Sequence, residues 1–436
     1  MPEHWFLRFA FHLTPSWFAV SMSTGALSIA LRTTPYAFDG EFVIAAIVYV
    51  LNILIFIVLL LASVVRYWSY PWIWSRMIRH PVQSLFLGMA PIALSTVVEG
   101  TVLLAVPAFG QWAITLAWVL WWIDVAISMA VCLGLPMTMF HMQNHSLDAL
   151  SAAYLLPVVP PVVAAASGSL VASVLPPDYA FITLCVSCAM MGAGIALSLI
   201  VITLFFLRLS VHKLPTREVI VSSFIPLGAL GQGVIGIVNF GVVAQNVLPA
   251  VGFADAAAGN VVFVMCTVLG LALWGLSVWW FVHAVGSVTI RVLSVKKALP
   301  INIGYWGFIF PVGSFTVATS ALGSALPSVF LNVVSVVCLV AMAILFLGVA
   351  AVTGRAAWRG ELKAPCLQDV VPPPVAPVTG HGEATLHSSM PGVAKDARET
   401  VRGGARDLDV EAGAANEHAV EGEDARSNVE AEIVQT

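Results

Sequence analysis

Ten apolar runs occupy most of the chain up to residue 354, at roughly 14–32, 42–65, 83–106, 111–140, 150–174, 180–207, 219–241, 259–290, 303–326 and 328–353. Short clusters of charge, proline and glycine separate them, and each is close to or above the ~20 residues that a helix needs to cross a bilayer. No Lys or Arg occurs between Arg79 and Arg208, or between Arg217 and Arg291. The pattern predicts an all-α integral membrane protein of ten transmembrane helices, embedded in a lipid bilayer.

Within the runs, proline follows an alternating rule. Each odd-numbered run carries one upstream of small residues: Pro15 before "STGALS", Pro91 before "STVVEG", Pro160 before "AAASGS", Pro226 before "GALGQGVIG" and Pro311 before "GSFTVATSALG". Successive prolines are 66 to 85 residues apart, about one helical hairpin with its loops. The expected architecture is therefore five hairpins, each with one proline-kinked, small-residue helix and one smoother helix. Five bent helices facing one another would line a central path, the smoother five lying against lipid. A plainer reading stays open, in which the small residues only let helices approach closely.

Composition agrees with the pattern: 59% of the 436 residues are hydrophobic and 10% charged, against about 25% charged in a soluble domain. Cations cluster in alternate loops, with Arg66, Arg76 and Arg79 after the second run, Arg208, Lys213 and Arg217 after the sixth, and Arg291, Lys296 and Lys297 after the eighth. Arg355, Arg359 and Lys363 follow the tenth. The positive-inside rule then places both termini in the cytoplasm of a multi-pass protein. Residues 1–13 form a short cytoplasmic N-terminus and 14–354 the transmembrane domain. Residues 355–436 read as an acidic, disordered cytoplasmic tail too poor in apolar residues to build a core. The net charge of -4 reflects that tail and carries no implication of nucleic-acid binding.

Two acids lie inside the runs, Glu99 in the third and Asp124 in "LWWIDVAIS" of the fourth. An intramembrane acid is a functional candidate by default. Glu99, on a proline-bearing helix, is assigned to the path, and Asp124, on a smoother helix, to a structural bond with a neighbour. His283 is read as structural. No Lys or Arg is expected to point into the path from a proline-bearing helix, so attraction for an anion has to come from backbone dipoles and hydroxyls. The candidate path residues are Ser23, Thr24 and Gly25, then Thr96 and Glu99, Ser167 and Gly168, Gln232 and Gly233, and Gly313 and Ser314. Cys185 and Cys188 form a C-x-x-C inside an apolar run and are read as small filler. Gly231 to Gly236 matches a dinucleotide fingerprint by letter, but no strand precedes it. Neither a metal nor a cofactor is expected, and too few polar groups converge for an enzyme.

"LTPSWFAVSMSTGALSIAL", "LGMAPIALSTVVEG", "LLPVVPPVVAAASGSLVA", "IPLGALGQGVIG" and "YWGFIFPVGSF" resemble the tellurite-resistance/dicarboxylate transporter family, whose relatives include slow anion channels. Within it they are most similar to fungal sulfite efflux pumps and malic acid transporters. The chain reads Met22-Ser23-Thr24-Gly25 where the sulfite pumps usually read M-G-T-G. The resemblance implies a ring of five hairpins around one pore per subunit, assembled as a homotrimer in the plasma membrane. It implies a phenylalanine plug before the proline of the ninth helix, which is Phe310 before Pro311. It also implies a small-anion substrate: sulfite exported down the membrane potential, or a C4-dicarboxylate such as malate moved with protons.

Overall fold

Long apolar runs with few charges can satisfy their backbone polar groups only by helix formation, and the chain is helical throughout its apolar part. The computed structural model describes residues 5–216, 219–295 and 303–359. In chain order these form α1 (Trp5–His12), α2 (Phe18–Arg32), α3 (Glu41–Ser69), α4 (Pro71–Arg79), α5 (Met89–Gly100), α6 (Val106–Phe109) and α7 (Gln111–Met142). They continue with α8 (Pro160–Ala172), α9 (Pro177–His212), α10 (Ile225–Ala250), α11 (Ala256–Val295), α12 (Trp306–Ala325) and α13 (Val329–Trp358). The described residues fall in the first of two units of the chain, Met1–Pro373, the second being Pro374–Thr436. The expectations for the tail, and for Arg217, Lys296, Lys297 and Lys363, lie outside the described residues.

A helix coincides with each apolar run, but among the described residues only eight are long and apolar enough to cross a membrane. The other two, α2 and α8, have 15 and 13 residues. At 1.5 Å per residue these helices span only about 20 Å. Both are buried almost from end to end, so protein rather than lipid surrounds them and bilayer thickness does not dictate their length.

Burial divides the helices into two sets. The apolar stretches containing α5, α10 and α12 are 67, 78 and 83% buried, whereas those of α3, α7, α9, α11 and α13 are only 17 to 33% buried. The buried set closes on itself: α2 touches α5, α5 touches α8, α8 touches α10, α10 touches α12, and α12 returns to α2. Each ring helix also packs against the long helix that follows it, in the pairs α2–α3, α5–α7, α8–α9, α10–α11 and α12–α13. Composition explains the division: Leu, Ile, Val and Phe cover the exposed long helices, while Gly, Ala, Ser and Thr concentrate where helix meets helix.

Every ring helix is preceded by a short 3₁₀ turn: Pro15–Trp17, Ser84–Gly88, Ala152–Leu155, Ile220–Phe224 and Ile303–Tyr305. This alters the reading of the prolines. Pro15 opens its 3₁₀ turn, Pro160 is the first residue of α8, Pro226 the second of α10 and Pro91 the third of α5. In a first turn the missing N–H would have had no helical partner anyway, so these four start helices instead of kinking them. Pro311 alone of the five lies in a helix interior, six residues into α12.

Close approach holds the ring together. A Cβ on Gly25 of α2 would fall 2.3 Å from Thr96 Oγ1 of α5. A Cβ on Gly231 of α10 would fall 2.9 Å from the Ser314 carbonyl carbon of α12. Around Gly25, Ser21 donates to Asn52 Oδ1 at 2.7 Å and Asn52 Nδ2 donates to Thr96 Oγ1 at 3.1 Å, tying α2, α3 and α5 into one buried polar network.

Candidate functional site

The five ring helices enclose a cavity of about 570 Å³ at the end where their C-termini gather. Ile29 of α2 and Thr33 beyond it, Glu99, Ala166 and Leu170 of α8, Ile235 to Gln245 of α10, and Val317 to Ala325 of α12 border it. Its inner wall is apolar, and Thr33, Asn239, Gln245, Ser320 and Ser324 supply neutral polar groups. Glu99 is the one ionisable side chain among the residues that line it.

Local structure fixes Glu99. After Gly100 the chain makes one π-helical turn over Thr101–Ala105 before α6 resumes. Beside this turn the Tyr49 ring of α3 occupies the space of a residue-100 side chain: a Cβ on Gly100 would sit 2.4 Å from it. The Tyr49 hydroxyl shares a 2.7 Å hydrogen bond with Thr101 Oγ1, and Thr101 Oγ1 bonds back to the Val97 carbonyl at 2.7 Å. Such a widened turn interrupts the regular ladder and is a frequent companion of functional side chains. Glu99 is 5% exposed, and its Oε1 has no hydrogen-bond partner among the described residues.

Phe310 does not border the cavity but is buried on the same face of α12 as residues that do. Seven residues separate it from Val317, which is two helical turns or about 10 Å further in. Next to it, Pro311 faces Gly228 of α10, whose absent Cβ would approach the proline ring at 3.4 Å. Ser314 accepts a hydrogen bond from Gln232 Nε2 at 3.1 Å, and Gln232 Oε1 has no hydrogen-bond partner among the described residues.

Of the eleven path candidates, Glu99 alone borders the cavity. Gly25 and Thr96 meet each other between α2 and α5, and Gly313 meets Ala26 and Met342. Gly168 faces Trp121 and Ser187, and Gly233 faces Leu273 and Ile195, so both are turned to the outer helices. Ser23 donates to the Trp306 carbonyl at 2.9 Å, joining α2 to α12. Thr24 and Ser167 bond within their own helices, to the Val20 and Ala164 carbonyls. At these positions the small residues serve helix contact, and the open alternative of close packing describes them.

Asp124 of α7 is fully buried and accepts hydrogen bonds from Ser95 of α5 and, at 3.4 Å, from Ser128. His283 of α11 is exposed, stacked on Trp279 with ring centres 3.6 Å apart, and far in sequence from any cavity-lining residue. Cys185 and Cys188 are exposed free thiols on α9. The described residues contain no cluster of His, Cys, Asp or Glu suited to a metal. Tyr49 and Asn52, which hold the site in place, sit in a uniformly apolar run whose only signal was their polarity.

Comparison with known proteins adds an independent line. Residues 12–353 match the family model described as voltage-dependent anion channel, SLAC1. The sulfite efflux pump SSU1 of Trichophyton rubrum is 40% identical over 288 residues, 66% of this chain and 76% of that protein. The malic acid transport protein of Schizosaccharomyces pombe is 25% identical over 276 residues, 63% of each chain. An uncharacterized transporter of Methanocaldococcus jannaschii is 25% identical over 277 residues, 62% of this chain and 73% of that one. A closed ring of buried helices around a cavity, and a match across nearly all of the helical region, lead to one conclusion: the chain is a membrane protein of the SLAC1 voltage-dependent anion channel family.

Proposed function

We propose that this protein exports a small anion across the plasma membrane, sulfite before others, through the axis of its helix ring. The observation that carries this reading is the cavity closed in by all five ring helices, with a bulky buried ring two turns beneath it. The sulfite pump of Trichophyton rubrum, at 40% identity, supports sulfite as the first candidate. In this reading the ring helices and their partners make ten crossings in five hairpins, α2 and α8 included, with both termini cytoplasmic and the cavity opening outward. Three such subunits assemble as a homotrimer, each with its own pore, as the family resemblance implies.

An interior-negative potential drives each unit charge outward by about 2.3 kcal/mol per 100 mV, so export needs no nucleotide. The ring contains no cation along its cavity, which favours weak binding and fast passage. Phe310 closes the path by filling it and by keeping it dry, held on the axis by the Pro311 contact with Gly228.

A second reading rests on Glu99: a proton-coupled C4-dicarboxylate carrier, to which the Schizosaccharomyces pombe relative lends support. Cells expressing the full chain and loaded with sulfite should lose it faster than control cells, at a rate that follows the membrane potential. Malate uptake driven by an inward proton gradient, with no sulfite loss, would replace the first reading with the second.

A further inference from the structure

The cavity contains a contradiction for an anion path: its single ionisable side chain is a carboxyl. Among the described residues, no cation lines the cavity beside that carboxyl. From α7 comes Asp124, already bound by Ser95 and Ser128. From α3 come Tyr49, engaged with Thr101, and Glu41, which pairs with Arg32 of α2 at 3.4 Å. Helices α8, α10 and α12 carry no ionisable side chain at all. Glu99 Oε1 is buried and unpartnered, although the Tyr49 contact and the π turn hold its backbone firmly. A group so placed has two electrostatic states with opposite effects on an anion. Protonated, it is a neutral O–H donor in a pocket that otherwise offers hydroxyls and amides. Ionised, it repels any anion in a low-dielectric space.

Building on the anion-export reading, we propose that this cavity is an exit-side binding site for singly charged oxyanions. Glu99 is its valve: the protonated carboxyl donates a hydrogen bond to the anion, and the ionised carboxyl shuts the site. Divalent anions are disfavoured in both states, since no cation offsets their second charge. The site thus selects the hydrogen-bearing, singly charged form of an acid such as sulfurous acid. It also makes export sensitive to pH on the cavity side alone, with acid opening and alkali closing.

Sulfite changes its own charge near neutrality, so the test uses nitrate, which stays monovalent, and sulfate, which stays divalent. The full chain is reconstituted in vesicles, and pH is set independently on the two sides. Wild-type nitrate flux is expected to fall about tenfold as cavity-side pH rises from 5 to 8. It should ignore pH on the other side, and sulfate flux should stay low throughout. Glu99→Gln should keep nitrate flux near the acid plateau at every pH. Glu99→Asp, which retains a carboxyl, should stay pH-dependent and shows that the position tolerates change. A wild-type pH profile persisting in Glu99→Gln, or a profile that follows the opposite side, would overturn the valve. No flux of nitrate or sulfite at any pH would instead overturn the anion reading beneath it.

Discussion

Glu99 and Asp124 were equally visible in the sequence as the two acids inside apolar runs, yet they occupy different chemical positions. Asp124 is saturated by the hydroxyls of Ser95 and Ser128, and so joins α7 to α5. Glu99 faces a cavity with one oxygen unpartnered. What separates them is three-dimensional: Ser95 sits four residues before Glu99 on the same helix but donates across to α7. Replacing Asp124 by Leu should leave Ser95 buried without an acceptor and cost about 1–3 kcal/mol. Asp124→Asn, which still accepts a hydrogen bond, should cost less, and the order of the two melting temperatures in detergent checks this. Gly25→Ala should be worse than either, because its Cβ would drive into both Thr96 Oγ1 and Asn52 Nδ2 and part the bond between them. A melting temperature equal to that of the parent would remove Gly25 from the ring contact.

Helices were readable because apolar run length and charge spacing nearly determine them in a membrane. The helix bounds fall within a few residues of the runs at most ends, though α10 continues to Ala250, well past the predicted 241. Alternation of proline also separated the ring helices from the outer ones. The mechanism behind it was not legible, since a 3₁₀ turn leaves no residue signature of its own and a proline letter does not say whether it starts or bends a helix. The distinction is testable. Pro226→Ala, at the second position of α10, should cost about 1 kcal/mol or less of stability. Pro311→Ala, inside α12, restores an N–H and a straighter helix, and should disturb the Gly228 contact and flux together. Flux in Pro311→Ala equal to that of the parent would mean that Pro311 positions nothing in the path. The π turn after Glu99 was equally hidden, since the Tyr49 ring packed on Gly100 beside it belongs to another helix. Tyr49→Phe should remove the bond to Thr101, at a cost near 1 kcal/mol, and shift the pH profile of nitrate flux without abolishing it.

At the scale of the whole molecule, the ring holds a cavity at one end, with tightly packed helices beneath it. Several of the small residues that suggested a path instead serve close helix contact: Gly168 and Gly233 against the outer helices, and Gly313 against α2 and α13. That explains how a membrane protein with so few internal charges keeps one arrangement: close helix approach and a handful of buried hydrogen bonds substitute for the hydrophobic drive that lipid removes. In the proposed export pore the gate is Phe310, buried on α12 two turns from the cavity-lining Val317. The most direct test is flux of sulfite, malate, nitrate and chloride, compared side by side in vesicles containing the wild-type chain or Phe310→Ala, under an imposed interior-negative potential. The proposed export pore predicts sulfite loss that increases with potential in the wild type and rises several-fold for all small anions in Phe310→Ala. Flux that ignores the potential, or is the same in both proteins, would contradict it.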